Sequence, residues 1–558
     1  MIGLIRYLLN SGDILTFISS CTVFICFAVL ILLYGRIKDD RKRLKIWSAL
    51  CFIPLIYSFI HILIFAVGGA FLQILPGYLT IYIPAVLTAI LPLLTKKKML
   101  LRAGTVAFAV ICAVCSVLSI YPTKNVNLAR KDLSEAYISL CDYLDKNYIM
   151  TDWKQIDFER LKQEGLELIK EAEKTGDIEK YYDAVINLAN SLHDGHAGVF
   201  FYNSGSYNYV IEKLTSFNDY GICLITLDDG STVAVNCEDG LAIRDGDVIT
   251  KWNGIPIAEA VKSVDTPISE SVLENDLIQK TFYLAGVGGD SVEVTYIDAS
   301  GNEAVAVLDK LDTPLPRALS TFSKFSKSKN DYYECKMIAS DIGYLRVTEE
   351  STNEISDTIA YCTGNHTAAR ESFRRDLREL KELGMTKLVI DIRNNAGGYD
   401  EVSTALASLF TKEKIYAFSF GVKKGSDLLS VGNRYILPDG EFADLEILVL
   451  TGMRCASAGD GLSLYLSRLD NVTVAGTTNP AGINQETGGV IYLPENIAVS
   501  FPTGLILDVS GNPNIDTDHT RQSRNPIDIK IPLDREAAIK IFSGVDYELE
   551  WAIDFLTE

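Results

Sequence analysis

Lys387-Leu388-Val389-Ile390-Asp391-Ile392-Arg393-Asn394-Asn395-Ala396-Gly397-Gly398 and, fifty-odd residues later, Ile447-Leu448-Val449-Leu450 followed by Arg454-Cys455-Ala456-Ser457-Ala458-Gly459-Asp460 decide the reading of this chain. Each begins with a run of β-branched and aliphatic residues of strand length and passes into a loop of small and polar residues. Two buried strands each giving way to a loop predict an α/β architecture with its chemistry at the strand ends. Around them, strand-like runs (Ile342–Val347, Val472–Ala475, Ile497–Phe501) alternate with helical ones (Ala368–Leu383, Val402–Phe410, Gly459–Leu466). That alternation predicts a sheet with helical crossovers from about Thr313 to Pro532.

Upstream the pattern changes twice. From Tyr207 to Lys310 short alternating strands dominate, and Gly246-Asp247-Val248-Ile249-Thr250-Lys251-Trp252-Asn253-Gly254-Ile255 reads as turn, strand, tight Asn-Gly turn, strand. From Leu128 to Leu192, Leu133, Tyr137, Leu140 and Leu144, then Leu161, Leu166 and Ile169, recur mostly at helical steps and end in Leu192-His193-Asp194-Gly195-His196-Ala197.

The first 123 residues are different in kind. They hold 11 Lys+Arg against 3 Asp+Glu, a balance of +8, which leaves −28 for the remainder of a chain of net charge −20. Ile14–Tyr34, two segments within the charge-free Ile46–Thr95, and Ala103–Tyr121 are apolar enough to predict four transmembrane helices. Basic loops at Arg36–Lys45 and Lys96–Arg102 predict that both face the cytoplasm. The expectation is a multi-pass cell-membrane protein, held in the lipid bilayer by four N-terminal spans, whose acidic remainder works outside the cytoplasm and binds no nucleic acid. Of eleven cysteines five lie in those apolar stretches, and the others show no metal-like spacing.

Ser457, among Ala456, Ala458 and Gly459, has neighbours small enough for a substrate carbonyl to approach, at the start of a helix whose N–H groups favour developing negative charge. The same serine could simply cap that helix. The strand, Asp-x-Arg-Asn-Asn-x-Gly-Gly, then strand, x-x-Ser-Ala order resembles peptidase family S41, the C-terminal-processing or tail-specific proteases. The resemblance covers roughly residues 128–532 and implies a 124–204 helical platform and a 313–534 S41 protease core of ClpP/crotonase-like α/β type. Gly246-Asp247-Val248-Ile249 with the Asn253-Gly254 turn resembles the PDZ signature and implies a 205–312 PDZ-like peptide-binding domain. With the 1–123 membrane region and a 535–558 helical tail, the expected protein is multi-domain. The S41 resemblance implies Ser457 as nucleophile and an oxyanion hole drawn from Gly397, Gly398 and Ala458. The PDZ-like domain would hold an extended or C-terminal segment on backbone N–H groups near Tyr220, Gly221 and Ile222.

A serine needs a base. The lysine that many S41 members use has no counterpart: Asn479-Pro480-Ala481-Gly482-Ile483 carries Gly482 at its place, and no lysine occurs between Ser457 and Lys530. The chain is closer to the histidine-using, tricorn-like branch. His196, in a stretch similar to the family's Asp-Gly-His-Thr, is then the expected base, since imidazole ionises near neutral pH. Asp518 is the expected orienting acid, with Asp516 beside it and Glu486 as a weaker candidate. Cys455 is a rival nucleophile. No metal or cofactor is implied, because neither a His-Glu-x-x-His nor a phosphate loop occurs. The expected activity is serine endopeptidase action on polypeptides; the alternative is an inactive peptide-binding receptor on the same fold.

Overall fold

The computed structural model describes residues 126–558 apart from 202–208, 210–215, 267, 314–315, 327–332, 352–365 and 425–426. One expectation is corrected at once. No helix among the described residues is long and apolar enough to cross a membrane, so neither the four transmembrane helices nor a multi-pass membrane location is supported. The apolar stretches on which they were placed fall within residues 1–125, outside the described residues. The described helices are of the globular kind: Phe158–Thr175 buries Phe158, Leu161, Gly165, Ile169 and Ala172 and turns its Glu and Lys side chains outward.

The chain enters through β1 (Val126–Asn127) and three helices, α1 (Leu133–Asn147), α2 (Phe158–Thr175) and α3 (Glu179–Ser191), then β2 (Gly198–Phe201). Asp157 caps α2 by accepting from Arg160 N at 2.9 Å, and Gly176 ends it with φ +76°. Tyr137, Leu140, Ile169 and Val185 of this platform share a core with Ile491, Val499 and Phe501 from far along the chain. The chain reverses between α3 and β2 at His193, Asp194 and Gly195, so His196 stands two residues ahead of a paired strand.

Next come β3 (Cys223–Thr226), β4 (Thr232–Val235), β5 (Val248–Trp252), β6 (Ile255–Pro256), α4 (Ile257–Lys262), α5 (Leu273–Leu284), β7 (Ser291–Ile297), β8 (Glu303–Asp309) and α6 (Arg317–Ser326). The strands form an antiparallel sheet in the order β3-β4-β5-β7-β8, with β6 folded back on β5. Asn253 and Gly254 turn with φ +48° and +76°, the double positive φ that a tight hairpin of this hand requires. Phe282 of α5 packs on Phe322 of α6 at 5.4 Å between ring centroids, over Leu224, Val233 and Val294.

The remainder comprises β9 (Glu334–Met337), β10 (Ile342–Arg346), α7 (Thr367–Glu382), β11 (Lys387–Asp391), α8 (Asp400–Ser408), β12 (Ile415–Lys424), β13 (Asp427–Ile436), β14 (Glu446–Leu450), α9 (Ala458–Leu466), β15 (Val472–Gly476), β16 (Gln485–Leu493), β17 (Ile497–Leu507), β18 (Ile529–Lys530), α10 (Arg535–Phe542) and α11 (Tyr547–Thr557). One sheet runs β18-β15-β14-β11-β10-β9, parallel except for β9. Leu388, Val389 and Ile390, and Ile447 through Leu450, are buried, as strands covered on both faces must be. A second sheet, β1-β16-β17-β12-β13 with β2 on β17, packs across α8 and α9 through Phe418, Ile436 and Ile506. The register pairs Asp391 with Leu450 and Leu450 with Ala475. The loops after β11, β14 and β15 therefore emerge side by side at one edge, where open α/β sheets place their sites.

Candidate active site

The glycine loop after β11 and the serine loop after β14 interlock. Ala456 N donates to Asn395 O at 2.9 Å, and a Cβ on Gly459 would lie 2.4 Å from Asn395 Oδ1. Asp391 and Arg393 are structural partners beneath the turn: Arg393 Nε and Nη2 donate to the Asp391 carboxylate at 2.9 and 2.7 Å, and Arg393 Nη1 reaches Asp546 and Glu548. Burial alone would raise the Asp391 carboxyl, but the Arg393 charge and hydrogen bonds hold it down to about 2.

Ser457 stands at the N-cap of α9 with φ +58° and ψ −128°. A non-glycine residue in that region costs on the order of 1–3 kcal/mol and persists only where its surroundings enforce it. Here Ser457 N donates to Ile483 O at 2.9 Å, while Asp460 accepts from the Gly482 and Ile483 N–H groups at 2.5 and 3.0 Å. Burial pushes the Asp460 carboxyl up to about 7. The 479–484 loop, where an S41 lysine would have been sought, thus braces the serine.

His196 reaches Ser457 from the platform. Its Nε2 lies 3.2 Å from Ser457 Oγ, and its Nδ1 lies 2.6 Å from Gln485 Oε1. Its backbone N donates to Asp194 Oδ1 at 2.9 Å. Gln485 was missed in the sequence; it opens β16, next to the strand β17 that pairs with β2, and only that pairing brings it to the histidine. Asp518 is not brought to His196: it accepts from Thr520 N at 2.8 Å on the His193 side of the fold. Asp516 is the buried one of the pair and accepts from Asn484 N at 3.2 Å. Burial and the Asp194 charge push its carboxyl well up. The Glu486 side chain lies outside the described residues. The other described histidines stand elsewhere: His193 Nδ1 pairs with Ser269 Oγ at 2.7 Å, His366 precedes α7, and His519 is exposed. Cys455 is fully buried, and burial pushes its thiol well above the usual range, which makes it a poor thiolate source.

The three expected oxyanion groups differ. Gly397 N already donates to Asn395 Oδ1 at 2.9 Å. A Cβ on Gly397 would lie 2.4 Å from Ser457 Cβ, so only glycine lets the loops close. Ala458 N is the first N–H of α9, a position with no partner within a helix. Gly398 has φ +155°, and a Cβ there would lie 2.4 Å from Glu350 O. Glu350, buried beneath this turn, accepts from Asn395 Nδ2 at 2.7 Å, and burial pushes its carboxyl up to about 8.

Because the folded protein binds the Glu350 proton more tightly than the unfolded chain, its contribution to stability is present at acidic pH and is lost as pH rises through about 8. The unfolding midpoint is expected to fall by several degrees between pH 6 and pH 9. Glu350→Gln, which mimics the protonated group, should flatten that fall, and a thermal-melt series at those pH values checks it.

The groups expected to hold a peptide end lie at the start of β3. Gly221 has φ +79° and gives its N–H to Asp219 Oδ1 at 2.8 Å; Tyr220 donates its hydroxyl to Gly289 O at 2.7 Å; Ile222 is buried.

Residues 341–520, which carry both loops, match the sequence model of Peptidase family S41. Among solved structures, mature CPAF complexed with lactacystin aligns at 13% identity over 76% of this chain and 97% of its own, with a TM-score of 0.50. A serine-to-alanine mutant of CPAF aligns at 14% identity over 74% and 95%, with a TM-score of 0.51. These likenesses establish a shared fold. No curated protein matches the sequence. The segment that bears Gly397, Gly398 and Ser457 is thus similar to peptidase family S41, whose members are serine peptidases.

Proposed function

We propose that the protein is an endopeptidase in which Ser457 attacks and His196 transfers the proton. The observation that carries this reading is the 3.2 Å approach of His196 Nε2 to Ser457 Oγ. Ser457 Oγ adds to the scissile carbonyl as His196 Nε2 takes its proton. The carbonyl oxygen, now negative, is held by the N–H groups of Ala458 and Gly398, at the positive end of α9. The imidazolium then protonates the leaving amine, and water, deprotonated in turn by His196, releases the acyl group from Ser457. Gly397 N–H takes no part in this scheme because Asn395 already accepts from it.

The substrate is a polypeptide, and the PDZ-like domain is the proposed site of its capture. β3 ends the sheet order, and because Cys223, Leu224 and Ile225 are fully buried, with Thr321 of α6 against Cys223 Sγ, a strand added at its outer edge would have to displace what covers it. With Gly221 N–H given to Asp219, the reading favours an extended segment over a free C-terminal carboxylate. Full-length protein treated with a fluorophosphonate is expected to gain one adduct on the Ser457 peptide, and to cut an unfolded protein before but not after labelling. Adduct formation elsewhere with cleavage intact, or no cleavage across a broad set of unfolded substrates, would overturn the assignment.

A further inference from the structure

The inference drawn here rests on the reading of Ser457 and His196 as nucleophile and base, and concerns what sets the state of that base. Neutral imidazole carries its proton on one nitrogen and its lone pair on the other, and only the form with the lone pair on Nε2 can accept from Ser457. The partner of Nδ1 decides which form is present. That partner is an amide, Gln485, whose two ends are nearly identical in shape and opposite in chemistry, the oxygen accepting and the nitrogen donating. An amide alone leaves the choice open.

Asp194 closes it. Its Oδ2 lies 3.3 Å from Gln485 Nε2 and accepts from Tyr148 OH at 2.6 Å, while its Oδ1 accepts from His196 N at 2.9 Å. All three neighbours meet the carboxylate as donors, and both Asp194 and Gln485 are buried, so water does not compete for these positions. A carboxylate accepts only, so it draws the amide nitrogen of Gln485 to itself and turns Oε1 toward His196. An oxygen 2.6 Å from Nδ1 requires a proton on Nδ1. The lone pair is then on Nε2, 3.2 Å from Ser457 Oγ.

We propose that Asp194 is a positioning residue for the reaction: by orienting the Gln485 amide it selects the His196 tautomer that can take the Ser457 proton. The same carboxylate also fixes the histidine backbone, so one buried group aligns the base and sets its protonation pattern. The base is linked to a charge through a neutral amide rather than by direct contact.

The test exchanges the two groups. In full-length Asp194→Asn the new amide can donate to Gln485 Oε1 and turn that side chain over, which places the proton of His196 on Nε2, facing Ser457. With polypeptide substrate, kcat is expected to fall by about 10³-fold with KM little changed, approaching the roughly 10⁴-fold cost of a wrong histidine tautomer. Asp194→Asn/Gln485→Glu restores an obligate acceptor at Nδ1 with an amide behind it, and should recover at least about tenfold of the loss. A residue that only held the fold together would show no such recovery. Because Asp194→Asn could fail to fold, the wild-type tautomer is also read directly from histidine ¹⁵N shifts above the imidazole titration, assigned by comparison with His196→Asn. An Nδ1–H signal for His196 supports the proposal. An Nε2–H signal, wild-type kcat in Asp194→Asn, or an exchange variant no better than the single would overturn it. A wild-type protein without Ser457-dependent cleavage would defeat the underlying reading instead, and the tautomer measurement would still judge this one.

Discussion

Ser457→Ala and His196→Ala are each expected to lower kcat/KM on an unfolded polypeptide by about 10⁴-fold or more, and the double variant to be no worse than the poorer single. The reason is that neither group works alone. Without the hydroxyl there is no covalent step for the histidine to assist; without the imidazole the hydroxyl keeps its proton and is a feeble nucleophile. Two groups 3.2 Å apart acting as one unit give losses that do not add. Steady-state kinetics on the four proteins checks this. Additive losses would mean that His196 acts on the substrate by some route other than Ser457. A residual rate in Ser457→Ala that Cys455→Ser then removes would point to the thiol, which its complete burial argues against.

Gly398→Ala is the second large effect expected. A methyl group there would lie 2.4 Å from the Glu350 carbonyl oxygen and 2.7 Å from its carbon, both backbone atoms held by the pairing of residue 350 with the glycine turn. The turn must move, and with it the N–H assigned to the oxyanion. Loss of one such donor costs about 10²–10³ in kcat, so a fall of at least that size is expected, accompanied by a lower unfolding midpoint because Tyr399 N also bonds to Glu350 O. Gly432→Ala, a positive-φ glycine on β13 whose added methyl would come no closer than 3.4 Å to Phe420, is the control. It shares the backbone strain without the oxyanion role and should leave kcat near wild type.

The two loops are legible in the sequence because their signals are local. Val389-Ile390 and Leu448-Val449 are buried on both faces, and that requirement is written as an unbroken apolar run. Gly397, Gly398 and Gly459 are demanded by close approach of backbone to backbone or side chain, and glycine is the residue that permits it. The Asn253-Gly254 hairpin was readable for the same kind of reason, the double positive φ of its turn. Apolar runs near the start of the chain were readable only as runs. They predicted membrane spans, and the described helices supply none.

What the sequence determined by itself, then, is the strand-to-loop order around Ser457 and the absence of a lysine to serve it, since both depend on residue type at short range. Which groups meet Ser457 is a matter of tertiary structure. His196 lies 261 residues away in the chain and arrives because β2 pairs with β17; Gln485 arrives because β16 pairs with the same strand. Asp518 was near the right place in sequence, yet the chain buries Asp516 and leaves Asp518 capping its own turn, because successive residues of an irregular segment need not face the same way. Gly397 was as good a donor as Gly398 on paper, until the fold gave its N–H to Asn395. Partnerships of this kind are set by strand register and loop closure, and hydrogen-bond chemistry, being short-ranged and directional, follows from those positions rather than from the order of residues along the chain.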